Sequence, residues 1–128
     1  MGDLTADFSS KEFECKCCGK LVHDNRLSVA LQAIRDRVGR PVRITSGYRC
    51  PKHNKAIGGA PASLHVSGEA ADYQISGYSV IEMAAVAESS PDFRNGAVGM
   101  YPENQFVHAD VRSGPKRWIR LEGKYYYF

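Results

Sequence analysis

The 128-residue sequence has no apolar stretch approaching the length needed to span a bilayer, which excludes a membrane-crossing helix. The opening residues, Met1-Gly2-Asp3-Leu4-Thr5, lack a basic segment followed by an apolar run. Ala6 stands where a myristoylation motif wants Ser or Thr. The expectation is therefore synthesis in the cytoplasm without a signal peptide and without membrane insertion. There is no internal repeat and no low-complexity tract. Nor is there a concentrated basic face. Seventeen Lys and Arg against 14 Asp and Glu leave a formal charge of only +3, too small and too scattered for a nucleic-acid partner. That mild excess would still favour an anionic polymer. The late cluster of Arg112, Lys116, Arg117 and Arg120 reads as a solvated surface.

Cysteine is scarce but uneven. Cys15, Cys17 and Cys18 are bunched, and Cys50 lies far downstream. Without a signal peptide, disulfides are not the default. Three readings stay open: a structural metal site, a disulfide from Cys50 to the cluster, and free buried thiols. Adjacent Cys17 and Cys18 seldom both ligate one tetrahedral ion, and His53, three residues after Cys50, is a replacement for one of them.

The length suits a single domain over residues 1–128 with one core, and the pattern reads as α+β: an antiparallel sheet and two main helices. Phe8 to Phe13 form a short capped turn. Leu27, Ala30, Leu31, Ile34 and Val38 recur at helical spacing, with Asp24 or Asn25 to cap the start and Gly39 to stop the end. Val42-Arg43-Ile44-Thr45 alternates as a strand. Residues 46–69 carry little apolar payload; a short helix from Pro51 to Ile57 interrupts them, and such long irregular segments are usually functional. Glu69 to Ile75 is a strand. Ser79-Val80-Ile81-Glu82 is a capping box opening a second helix that buries Val80, Ala84 and Ala87 or a similar stripe. Ala97–Met100, Gln105–Arg112 and Lys116–Leu121 read as a three-stranded meander, with Tyr125 to Phe128 as an added edge.

Two stretches carry candidate chemistry. In Ser63-Leu64-His65-Val66-Ser67-Gly68-Glu69-Ala70-Ala71-Asp72, a His precedes an Asp by seven residues. On a strand, Ala71, Tyr73 and Ile75 share the apolar face, so Asp72 faces a cleft, and Gly68 lets the chain turn to bring His65 back beside it. In Phe106-Val107-His108-Ala109-Asp110-Val111-Arg112, His108 and Asp110 point together to the polar face. Two imidazoles and a carboxylate suit zinc with an open fourth position, the mark of catalytic sites in which water becomes acidic near pH 7. Spacing alone leaves this open, because such pairs arise by chance and a lone His on a strand is often structural.

The run Ser63-x-His65-x-x-Gly68-x-Ala70-x-Asp72, followed by Phe106-Val107-His108-x-Asp110, resembles the M15 metallopeptidases. These are the D-alanyl-D-alanine carboxypeptidases and related murein endopeptidases. Ser46-Gly47-Tyr48-Arg49-Cys50-Pro51-x-x-Asn54 and Gly58-Gly59 fit as well, so the likeness runs from Phe8 to Trp118. It implies a small α+β fold shared with the hedgehog signalling domain. It implies one catalytic zinc on His65, Asp72 and His108, Arg49 meeting a substrate carbonyl or carboxylate, and Ser63 contacting bound peptide. A planar guanidinium suits that task, since it donates two parallel hydrogen bonds.

The sequence departs from part of the family at the proton acceptor. Several members carry Glu three residues before the last His, and Gln105 stands there. Asp110, on the strand face of His108, is the expected substitute, with Glu103 in the preceding turn as the other; the bland role for Asp110 is to orient His108 or pair with Arg112. Tyr48, Tyr101 and Trp118 either line the cleft or pack in the core. The expected activity is hydrolysis of amide bonds in peptidoglycan stem peptides or cross-links by a monomer, in the manner of a phage or prophage lysin. The alternatives are removal of terminal D-alanine and a non-catalytic zinc-containing wall-binding domain.

Overall fold

The computed structural model describes residues 2–128. Phe8 and Phe13 flank a 3-10 turn, Ser10–Phe13, and both rings are buried 6.1 Å apart. The Glu12 carboxylate closes the turn by accepting from the Ser9 amide at 2.8 Å. Helix α1, Asn25–Val38, starts where the Asp24 carboxylate accepts from the Arg26 amide, and it stops at left-handed Gly39. Its buried stripe is Leu27, Ala30, Leu31 and Ile34.

Strand β1 spans Val42–Ser46, helix α2 Pro51–Ala56 and strand β2 Ala70–Ile75. Helix α3, Val80–Ala87, opens with the Ser79–Glu82 capping box and buries Val80, Met83 and Ala87. Met83 thus takes the buried place expected of Ala84, which is only half-buried. A short α4, Pro91–Arg94, leads to β3, Ala97–Tyr101. Strands β4, Phe106–Asp110, β5, Lys116–Leu121, and β6, Lys124–Tyr127, complete a sheet of order β1-β2-β4-β3-β5-β6.

The sheet is antiparallel except that β5 lies parallel to β3. The last third is therefore not the simple meander that its spacing suggests. After β4 the chain crosses over β3 and pairs with its far edge, so β3 lies between β4 and β5. Local alternation cannot report which neighbour a strand selects.

Ala71, Tyr73 and Ile75 of β2 and Val107 and Ala109 of β4 face α1 and α3 in one apolar core. Tyr73, fully buried, donates its hydroxyl to the Met83 carbonyl at 2.7 Å and so ties sheet to helix. Burying each large side chain of this set contributes roughly 1.5–3 kcal/mol. The same strands turn Asp72, His108 and Asp110 to the opposite face, where all three are buried.

Candidate metal centre

One row of paired residues crosses the whole sheet on its open face: Ser46, Asp72, His108, Gly99, Trp118 and Tyr127. Strand pairing puts Asp72 directly opposite His108. The β1–β2 register slips by one residue between Ile44 and Ser46, a bulge that sets Ser46 rather than Thr45 against Asp72. A bulge bends its strand and re-aims the chain beyond it. This one turns the 46–50 loop over the open face, where Gly47 and Arg49 reach the row.

His65 arrives on the irregular segment before β2. The hydroxyl of Ser63 accepts from the His65 amide at 3.2 Å, and Gly68, at φ +75, bends the chain back towards β2. A side chain at Gly68 would collide with the Val22 carbonyl, so the bend admits glycine only. The Gly47 carbonyl accepts from His65 Nδ1 at 2.7 Å, which leaves Nε2 as a lone pair 3.1 Å from Asp72 Oδ1.

His108 is arranged the other way round. Its Nε2–H donates to Asp110 Oδ2 at 2.7 Å, and its Nδ1 lies 3.1 Å from the same Asp72 Oδ1. Two ring lone pairs and a carboxylate oxygen thus crowd one point, with both outward N–H groups already used. Such a trio is stable only around positive charge, a metal ion or an added proton. About 2.0–2.2 Å from each donor to zinc spaces tetrahedral ligands by roughly 3.3–3.5 Å, close to the 3.1 Å separations observed. The donor set fits a divalent metal of zinc type.

Without metal, the electrostatics adjust by protonation. Burial opposes ionisation of Asp72, but the positive charge of His65 and hydrogen bonds from both imidazoles hold its carboxyl well below the usual range. Burial also lowers His108, yet the Asp110 and Asp72 carboxylates prevail and pull it up to about 9.

Arg49 is held by its loop. Nε donates to Ser46 Oγ at 3.1 Å, Nη1 to Asn54 Oδ1 at 3.1 Å, and Nη2 approaches Asp72 Oδ2 at 3.4 Å. Asn54 is buried and donates its own amide to the Ala60 carbonyl, so the guanidinium is aimed by a rigid partner. Ser63, expected to meet peptide, spends an acceptor on His65 instead, though its hydroxyl proton stays free to donate.

Both expected proton acceptors are engaged by other groups in this structure. Asp110 is fully buried and all its acceptor directions are engaged: Arg112 grips both oxygens through Nε at 2.9 Å and Nη2 at 2.7 Å, and His108 takes the remaining side. Burial works against its ionisation, but His108 and Arg112 keep it a carboxylate of low basicity. It is placed to orient His108, the bland role named from sequence. Glu103 turns away as well, accepting from the Glu122 amide at 2.9 Å in the β5–β6 turn. Basic residues expected as solvated surface are also engaged, for Arg117 pairs with Glu88 at 2.7 Å and caps the Gly96 and Arg94 carbonyls.

Sequence reasoning passed over Gly99. It sits between His108 and Trp118 in the cross-sheet row, and the missing side chain lets the two rings approach to 5.2 Å. A glycine inside an apolar strand signals such close approach. Trp118 donates to the Tyr101 hydroxyl at 3.1 Å, and Tyr101 stacks on Phe106 at 4.4 Å, so an aromatic floor extends from His108.

The profile of the family described as Peptidase M15 matches residues 6–110, which hold all three crowded side chains. The probable peptidoglycan L,D-endopeptidase MepK of Haemophilus influenzae is 37% identical over 81 residues, 59% of this chain and 41% of that protein. The peptidoglycan L,D-endopeptidase MepK of Escherichia coli K12 is 36% identical over 83 residues, 61% of this chain and 43% of the relative. The matched segment thus spans about two-fifths of the length of these curated relatives. With most of its length inside the family profile and its donor trio assembled on one sheet face, the chain belongs to the Peptidase M15 family.

Proposed function

We propose that the chain is a zinc-dependent peptidase that hydrolyses an amide bond in peptidoglycan peptides, with His65, Asp72 and His108 holding the metal. The observation that carries this reading is the meeting of His65 Nε2 and His108 Nδ1 on one oxygen of Asp72, each at 3.1 Å. The endopeptidase names of the relatives support the substrate class and favour internal cleavage over removal of terminal D-alanine. Zinc bound there would supply a Lewis acid for the scissile carbonyl and would acidify water.

The protein's own groups do the rest. Asp110 and the Gly47 carbonyl fix the two rings so that a lone pair of each faces inward. Arg49, held by Ser46 and Asn54, presents Nη2 beside Asp72, where it donates to the carbonyl oxygen as negative charge develops. The aromatic floor of Trp118, Tyr101 and Phe106 offers an apolar surface for the flanking peptide, and Lys116, 5.7 Å from the Trp118 ring, adds positive charge for its carboxylates.

Purified sacculi digested with the zinc-loaded protein test this reading by mass spectrometry of the released fragments. New amine ends within or between stem peptides are expected, and they should vanish in His108→Ala together with zinc at this centre. Release of free D-alanine alone would make the protein a carboxypeptidase. Intact sacculi would leave it a binding domain.

A further inference from the structure

Four sulfurs gather where the N-terminal segment meets Cys50, at the end of the 46–50 loop. The Sγ atoms of Cys15, Cys17, Cys18 and Cys50 all lie within 4.8 Å of one another. We propose that these four thiolates hold a second, structural zinc ion, which fastens the N-terminal segment to the loop that carries Arg49.

The spacing favours a metal over a bridge. Cys17 lies 3.3 Å from Cys50 and 3.6 Å from Cys15. Zinc–sulfur bonds of about 2.3 Å separate tetrahedral sulfurs by roughly 3.8 Å, whereas a disulfide requires about 2.05 Å. A disulfide would also use two sulfurs and leave no reason for the other two to converge. Four soft sulfur donors around one point select zinc over the hard cations.

The adjacency of Cys17 and Cys18 is resolved by the backbone. The Cys15 amide donates to the Lys20 carbonyl at 2.8 Å, and the Gly19 amide donates to the Cys15 carbonyl at 2.8 Å. Gly19, at φ +71, completes this tight reversal, which wraps both side chains around one point. Backbone amides supply the outer shell: Cys50 N–H donates to Cys15 Sγ and His53 N–H to Cys50 Sγ, each at 3.4 Å. His53 therefore contributes its amide, and its ring stands outside the cluster. Cys15 is buried while Cys17 and Cys18 are exposed, so the site is anchored from within and open to metal from outside.

The site's position gives it a task. The residue next to Cys50 is Arg49, and the same loop offers its Gly47 carbonyl to His65. A metal joining residues 15–18 to residue 50 restrains that loop at one end, as the Tyr48 amide bonded to the Phe13 carbonyl at 2.8 Å does nearer its middle.

The test uses the full chain purified under reducing, air-free conditions. His108→Ala, which removes a donor of the other centre, is loaded with cobalt(II). Intense sulfur-to-cobalt charge-transfer bands in the near ultraviolet are expected, with the visible bands of a tetrahedral sulfur site. Thiol titration should find the cysteines protected until a chelator is added and four reactive thiols afterwards. In Cys18→Ser and Cys50→Ser the tetrahedral four-sulfur spectrum should be lost and the melting temperature should fall. Absence of sulfur bands in cobalt-loaded His108→Ala, thiols that react fully without chelator, or a Cys17–Cys50 disulfide in the air-free protein would each overturn the proposal. The cobalt spectrum needs no cysteine variant, so misfolding of such variants cannot shield the claim. It reads sulfur ligation directly, so an error about His65, Asp72 and His108 leaves the result interpretable.

Discussion

Replacing Asp110 by Asn separates two roles that the same carboxylate could play. The side chain is fully buried and accepts from Arg112 Nε, Arg112 Nη2 and His108 Nε2 within 2.9 Å. Asn preserves the volume but has one acceptor oxygen and a donor amide. Whichever way it turns, an N–H faces either the imidazole N–H or the guanidinium. If it turns its amide to His108, the ring loses the acceptor that fixes its tautomer. Loss of such an outer partner typically costs 10–100-fold in metal affinity, about 1.4–2.8 kcal/mol. Competition against a chromogenic chelator should therefore find zinc held about 10–100-fold more weakly in Asp110→Asn. Hydrolysis should recover substantially once zinc is in excess. A positioning residue behaves this way and a proton carrier does not. Wild-type zinc affinity with a collapsed kcat at saturating metal would refute the reasoning and restore Asp110 as the proton acceptor.

Three further outcomes are expected. Arg49→Lys cannot hold Ser46, Asn54 and Asp72 at once with a single ammonium, so kcat/KM should fall by roughly 10²-fold with zinc content unchanged; normal kinetics would remove Arg49 from the reaction. Gly99→Ala drives a methyl group into the Trp118 indole and should cost about 1–3 kcal/mol in denaturant unfolding, with altered fluorescence of the single tryptophan; an unperturbed emission spectrum would contradict the close approach. His23 is half-buried against Phe13 with its Nδ1 unpartnered, and this burial, opposed by Asp24, lowers its pKa from the usual value of about 6.5. Above that value folded and unfolded chains both carry the neutral ring. Below it the unfolded chain takes the proton first, so stability should fall as pH drops through about 6.5. His108, pulled up to about 9, adds stability towards acid in the opposite sense, so the readout is a difference: His23→Gln should raise the urea midpoint at pH 5.5 relative to that at pH 8, and a pH dependence identical to the parent's would exclude His23 as a source.

Much of this protein was legible in its chain. Helix α1 announces itself through Leu27, Ala30, Leu31 and Ile34 and through its Asp24 and Gly39 ends, because these signals are local and repeat at the helical period. Strand alternation alone assigns Asp72 and His108 to a face away from Tyr73 and Val107. Residue types and spacing, together with the likeness to the M15 peptidases, nominate the trio around Asp72.

Partners distant in sequence were decided only by the tertiary structure. A residue that shares a face with a candidate metal donor can still be bonded elsewhere, and Asp110 is spent on Arg112 and His108 because packing brings all three together. The crossing of β5 to the far side of β3, which sets Trp118 across Gly99 from His108, depends on long-range pairing that no local period encodes. The convergence of Cys15, Cys17 and Cys18 with Cys50 likewise arises from a reversal at Gly19 and the docking of two segments. Periodicity specifies which way a side chain points; only the folded chain specifies what it meets there.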